Sequence, residues 1–194
     1  MNWDKIMTDG YLSNPLIFII DTLFFLYMIV VALRLLMPWI HWPSNQPLTQ
    51  MVIRATQPLV QPLRKVLPAI GKLDTAVLLL LIAIALLKLI LISALLGNVP
   101  NILALIPFTL AEVFKLFITL FTVTIIIEVV LSWLTPQGSY NPMTELLVRL
   151  NAPLLNPVRR ILPDMGGIDL SPLIVIIGLQ VLQMLVLPLL TGSV

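Results

Sequence analysis

Four uninterrupted apolar runs decide what this chain can become. They lie near residues 15–39, 75–96, 107–134 and 170–190, and each reaches the roughly 20 helical residues that cross a bilayer core. The runs are continuously apolar rather than alternating, which excludes a transmembrane β-barrel. Composition agrees: 10% of the residues are charged and 59% hydrophobic, against about 25% charged in an ordinary soluble domain. The expected fold is an all-α integral membrane protein with four transmembrane helices.

The basic residues are unevenly placed. Arg54, Arg64, Lys65 and Lys72 lie between the first two runs, and Arg149, Arg159 and Arg160 between the last two. The other side has Lys5 alone, with no basic residue in the 97–106 connection or after residue 190. The positive-inside tendency therefore puts both long loops in the cytoplasm and both termini outside, which in a Gram-negative cell would be the periplasm. The start, MNWDKIMTDG, sets Asp4 and Asp9 around Lys5 and fits neither a secretory leader nor a transit peptide. There is no cysteine, so disulfide and thiol chemistry are excluded.

The two loops repeat one another. Residues 57–74 read QPLVQPLRKVLPAIGKLD, and residues 152–169 read APLLNPVRRILPDMGGID. At an offset of 95, Pro47, Thr49, Arg54, Pro58, Leu59, Pro62, Arg64, Leu67, Pro68, Gly71 and Asp74 all recur in identity, and Lys65 recurs as Arg160. Before the loop the offset becomes 94, pairing Trp39 with Trp133. Each half, residues 1–97 and 98–194, is then a span, a cytoplasmic loop (40–74 or 135–169) and a second span. Both loops are basic, so the halves share one orientation and form a parallel repeat about a pseudo-two-fold along the membrane normal.

With PLLNPVRRILPDMGGIDLSP in the second half and PLVQPLRKVLPAIGKLD in the first, the chain resembles the YggT family of small integral membrane proteins, also called YlmG-like, with chloroplast relatives. The resemblance covers essentially the whole chain. The family's pattern, a Pro–Arg–Pro loop closing on Gly-x-Ile-Asp-x-Ser-Pro, is complete in GGIDLSP, whereas GKLDTAV lacks the Ser-Pro. The resemblance implies a link to envelope or osmotic stress tolerance in bacteria. From the plastid relatives it implies assembly of haem-bearing cytochromes or distribution of nucleoids. Without cysteine, and with His41 as the one histidine, haem ligation is not carried over.

Twelve of sixteen prolines lie in the two loop regions between Pro38 and Pro68 or Pro136 and Pro172, so each loop should be a series of short, fixed pieces. One helical piece is expected from Pro47 or Pro142. Its apolar face is Leu48, Met51, Val52 and Ala55, or Met143, Leu146, Leu147 and Leu150. A second starts at Pro62 or Pro157 and stops at Pro68 or Pro163. Pro58 and Pro153 further stiffen the loop. Gly71 or Gly166 permits the sharp turn, and Asp74 or Asp169 caps the next span. Such pieces should lie in the interface with Arg54, Arg64, Lys65, Arg149, Arg159 and Arg160 among anionic headgroups. Simple topology and anchoring is the plainer reading of the same charges.

Six ionisable residues fall inside apolar runs: Asp21, Arg34, Lys88, Glu112, Lys115 and Glu128. Each costs about 2.5–3.5 kcal/mol at a helix centre, so partners are expected. The 94 offset equates Asp21 with Lys115 and Arg34 with Glu128. Arg34–Glu128 is the expected axial ion pair; Asp21 and Lys115 are expected to find other partners, with Lys88 a candidate, and Glu112 can pair with Lys115 three residues on. Ion pairs that fix helix packing and an ion or proton pathway are both open readings.

His41 sits between Trp39 and Trp42 in an interfacial belt and lacks companions for a metal site or triad. No glycine-rich phosphate loop occurs, and the basic residues lack an aromatic platform for nucleic acid. The expectation is a non-enzymatic scaffold or assembly factor without cofactor. It would dock through its loops on lipid headgroups and on a membrane-protein partner or second copy, with no nucleic acid involved. The alternative is a small oligomeric ion channel or transporter, possibly potassium-related, that uses the intramembrane charges.

Overall fold

The computed structural model describes residues 3–40, 42, 46–99, 101–134, 142–162 and 169–192, with side chains from residue 14 in the first helix and from 143 in the fifth. Six helices follow in order: α1 (Trp3–Leu36), α2 (Pro47–Arg64), α3 (Thr75–Leu95), α4 (Ile102–Leu134), α5 (Pro142–Ile161) and α6 (Ser171–Thr191). The helices α1, α3, α4 and α6 contain segments long and apolar enough to cross a membrane. The fold is thus an all-α multi-pass membrane protein. α2 and α5 are the loop helices, amphipathic where the other four are apolar nearly all round.

Two of the long helices start earlier than their apolar runs. α1 is already helical at Trp3, and α4 begins at Ile102 rather than 107. Asn101 Oδ1 accepts from the Leu103 N–H at 3.1 Å, a side-chain cap that does not require Pro107 to open the helix. α4 has 33 residues, about 50 Å at 1.5 Å per residue, well beyond a hydrocarbon core of about 30 Å.

The loop pieces expected to break at Pro62 and Pro157 do not break. α2 runs through Pro58 and Pro62, and α5 through Pro153 and Pro157. Each proline withholds the N–H that the carbonyl four residues back would receive. Those carbonyls belong to Arg54, Pro58, Arg149 and Pro153, all exposed residues. The prolines are spaced by four on the outer face, away from the core, and the helix continues through them.

The buried face of α2 also differs from the expected one. It is Thr49, Val52, Thr56 and Val60, while Met51 is 68% exposed. In α5 it is Leu146, Leu147, Leu150, Asn151 and Leu155. Both faces include polar residues, which a search for apolar periodicity passes over.

α2 packs on α1 and α3, and α5 on α4 and α6. The halves meet mainly where α3 lies on α4, with a lesser α1–α4 contact. One core gathers Met28, Val31, Leu35, Val60, Leu81 and Ala85 and is completed by Leu116 and Leu120 of α4. The other gathers Ile118, Ile125, Leu155, Val175 and Leu179. Equivalent positions do equivalent work: Val60 and Leu155, and Val31 and Ile125, are all buried.

After α2 the chain turns through Gly71 at φ +60°. Ile70 and Leu73 close that turn by two backbone hydrogen bonds of 3.0 Å. A side chain at this φ is disfavoured by about 1–2 kcal/mol, and space is not the limit, since nothing lies within 4 Å of where a Cβ would stand. Gly71→Ala should accordingly lower stability by about that amount, read as a lower melting temperature in detergent. Pro58→Ala should leave the fold intact and raise the melting temperature, because it restores one helical hydrogen bond; a fall would mean that the proline is needed where it stands.

Candidate functional site

Lys88 of α3 is 2% exposed and sits between carboxylates from two other helices. Its Nζ donates to Asp21 Oδ1 of α1 at 2.9 Å and to Glu112 Oε1 of α4. One ammonium thereby ties α1, α3 and α4 together and spans the boundary between the repeats. Asp21 keeps half its side chain exposed, while Glu112 is mostly covered. Glu112 does not pair with Lys115, as its three-residue spacing allowed, because the buried ammonium is nearer and better desolvated. Lys115 is exposed and lines a shallow recess with Glu112, Phe108 and Leu187.

At the end of the bundle that carries α2 and α5, Arg34 and Glu128 are both buried, yet they do not form the expected axial pair. Arg34 turns into its own half. It donates to Thr56 Oγ1, to Gln57 Oε1 at 2.7 Å and to the Ile53 carbonyl at 3.0 Å, all on α2. Glu128 accepts from Asn151 Nδ2 of α5 at 2.8 Å and lies 3.5 Å from an Arg159 nitrogen. Asn151 Oδ1 in turn accepts from Thr124 at 2.8 Å.

Thr56 and Asn151 are repeat equivalents, as are Arg34 and Glu128. The same tether from span to loop helix is made twice with donor and acceptor exchanged. This explains how equivalent positions carry opposite charges without meeting. Neither Thr56 nor Asn151 was singled out from the sequence; the available signal was a polar residue at matched positions on the inner face of two repeated amphipathic helices.

A second repeated device closes each loop. Arg64 pairs with Asp74, which also accepts from the Val77 N–H at the start of α3 at 3.3 Å. Arg159 Nε donates to Asp169 Oδ2 at 2.8 Å, and Asp169 accepts from the Ser171 N–H at 2.9 Å. Partial burial by itself would raise the Asp169 carboxyl, but the Ser171 hydrogen bonds and the Arg159 guanidinium outweigh it and hold the group below its ordinary value. Pro163 and Gly166 lie outside the described residues. Arg54, Lys65 and Arg160 are exposed. Arg149 is exposed too, and donates to Glu145 four residues earlier at 2.7 Å.

The two loop-side clusters end with opposite balances. Arg34, Arg64 and Asp74 leave one excess positive charge, and Glu128, Arg159 and Asp169 one excess negative. An open recess of about 600 Å³ exposes the second cluster beside Trp133 and Ser132.

Lys88→Met should leave two carboxylates without their cation and destabilise by roughly 3–5 kcal/mol, read from melting in detergent. The exchange Arg34→Glu with Glu128→Arg should not rescue the single variants, because each side chain serves its own loop helix; rescue would restore the axial pair. Asp169, with its lowered folded value, contributes stability above the ordinary Asp value of about 3.9. That contribution should be lost as pH falls through the lower folded value. Asp169→Asn should flatten this part of the pH–stability curve.

Comparison with known proteins gives a consistent result. The CCB3/YggT family matches residues 13–95 and again 107–190. An uncharacterized protein of Pseudomonas aeruginosa is 40% identical over 178 residues, 91% of this chain and 90% of that protein. The uncharacterized protein YggT of Escherichia coli K12 is 37% identical over 171 residues, 88% of each chain. An uncharacterized protein of Haemophilus influenzae is 33% identical over 181 residues, 93% of this chain and 96% of that one. No solved structure matches.

Proposed function

The chain belongs to the CCB3/YggT family, and on that premise we propose that it is a non-enzymatic scaffold or assembly factor of the bacterial inner membrane. It holds two stiff loop helices against the cytoplasmic leaflet and presents their basic outer faces to another membrane protein. The observation that carries this reading is the paired tether. α2 and α5 are each pinned to a span by a buried polar contact, Arg34–Thr56 and Asn151–Glu128, and each is pinned again by a loop-closing Arg–Asp pair. A surface held this firmly loses little entropy on docking.

Its chemistry suits an interface. Met51, Leu59, Val66, Val148 and Ile161 expose apolar area among Arg54, Lys65, Arg149 and Arg160. Each basic group near an anionic leaflet contributes about 1 kcal/mol. The intramembrane charges favour packing over conduction. The Lys88 cluster and the Arg34 and Glu128 tethers are separated by Leu81, Ile84, Leu116 and Leu120, all buried. The link to envelope or osmotic stress tolerance belongs to this proposal as the process in which such a scaffold would act.

Arg64 and Arg159 close their own loops, so the informative surface variant is Arg54→Gln with Lys65→Gln. A photo-crosslinker at the exposed Gln61 should capture a discrete membrane-protein partner in cells, and that capture should be lost in the double variant. Potassium or proton flux in proteoliposomes of the purified protein, abolished by Lys88→Gln with Glu112→Gln, would replace the scaffold with a channel or transporter.

A further inference from the structure

A cavity of about 370 Å³ lies between α1, α2, α4 and α5, within the range of about 300–1,000 Å³ of small-molecule sites. Its walls come in repeat-equivalent pairs, Ile29 with Val123, Leu33 with Ile127 and Val52 with Leu147, so it is centred on the pseudo-two-fold. Those six side chains are hydrocarbon, and water has little to bond to there. Three residues on its wall, Thr119, Thr124 and Trp42, carry a polar group. Trp42 lines the cavity, and its indole Nε1–H is buried with no acceptor among the described residues. Native structures rarely leave such a donor unmet.

A second, more open recess of about 500 Å³ has a different lining. Trp39 and Ile40 come from the turn after α1, and Arg149, Asn156 and Arg160 from α5. The two recesses share supporting elements. The segment after α1 gives Trp39 to one and Trp42 to the other, and α5 gives Arg149 to one and Leu150 to the other. Two guanidiniums and an amide beside an interfacial indole suit a phosphate diester. The apolar cavity built on the same two elements suits a hydrocarbon chain.

We propose that the chain holds one anionic phospholipid of the loop-side leaflet. An acyl chain enters the axial cavity, which Trp42 lines, and the phosphate lies between Arg149 and Arg160. One lipid binds, not two, because the repeat breaks here. The position equivalent to Trp42 is Pro136, and Trp133, the counterpart of Trp39, is 80% exposed and lines the Glu128 recess instead. This site goes beyond the scaffold reading and does not rest on it, so partner capture at Gln61 and lipid binding can fail separately.

The test uses the full chain carrying Trp3→Phe and Trp133→Phe, which leaves Trp39 and Trp42 as emitters. It is reconstituted in vesicles of phosphatidylcholine with a minor fraction of phosphatidylglycerol, and bromine is placed on the acyl chains of one lipid or the other. Bromine on phosphatidylglycerol should quench the indoles with a preference on the order of tenfold over the same fraction on phosphatidylcholine, as two basic groups at a headgroup allow. Arg149→Gln with Arg160→Gln should reduce that to the phosphatidylcholine level, and Arg149→Lys with Arg160→Lys should keep most of it. Val123→Phe, which fills the cavity and leaves the charges alone, should lower the quenching. Should the glutamine pair lose its helical circular dichroism, Val123→Phe decides, and unchanged quenching there overturns the proposal. Equal quenching by the two lipids overturns it in favour of ordinary boundary lipid. Relief of quenching by excess inorganic phosphate overturns it in favour of a soluble phosphate ligand.

Discussion

An ammonium group without water is the condition around which this bundle is arranged. Lys88 is buried on a helix whose other side chains are almost all hydrocarbon, and an isolated charge there would be costly. It is sustained because Asp21 and Glu112 reach it from α1 and α4. Satisfying one lysine from two neighbours fixes the rotation of three helices at once, which hydrocarbon contacts alone do poorly, since lipid tails compete with them on equal terms. With α3 seated on α4, the two cores fall on opposite sides of α4, Leu116 and Leu120 facing one and Ile118 and Ile125 the other.

From that seam the two halves repeat their backbone and diverge in their chemistry. Each has a span, an amphipathic helix through two prolines, and an aspartate at the start of the next span. What differs is the sign of the tether. Arg34 gives hydrogen bonds to α2, whereas Glu128 accepts them from α5. A duplicated fold tolerates this because the tether needs only complementary partners within one half. Each half can drift in charge while the helix it holds stays in place.

The sequence discloses those features that are one-dimensional. Run length and hydropathy mark the four spans, and identities at a fixed offset mark the repeat. A single residue type at a fixed place, Gly71 or Asp74, marks a turn or a cap. What stays hidden depends on angle. Arg34 and Glu128 are equivalent by offset, but equivalence does not place them near the axis, and α2 and α5 offered nearer partners. Pro62 and Pro157 show a missing N–H; they do not show that the residues four back, Pro58 and Pro153, are exposed, where a helix can survive the lost bond. Thr56 and Asn151 went unremarked because amphipathic patterning treats an inward polar residue as noise, although these two make the tethers.

Those uninterrupted proline helices have a further consequence. The outer faces of α2 and α5 carry, besides their cations, backbone oxygens at Arg54, Pro58 and Pro153 that have lost their usual i+4 donor. Their positions are set by the helix and not by any rotamer, and substituting the residues that bear them does not remove them. The loop surface therefore combines adaptable positive side chains with a rigid set of hydrogen-bond acceptors. A purely anionic contact would use only half of that surface; a partner offering N–H or O–H donors at a helical spacing, alongside its acids, would use all of it.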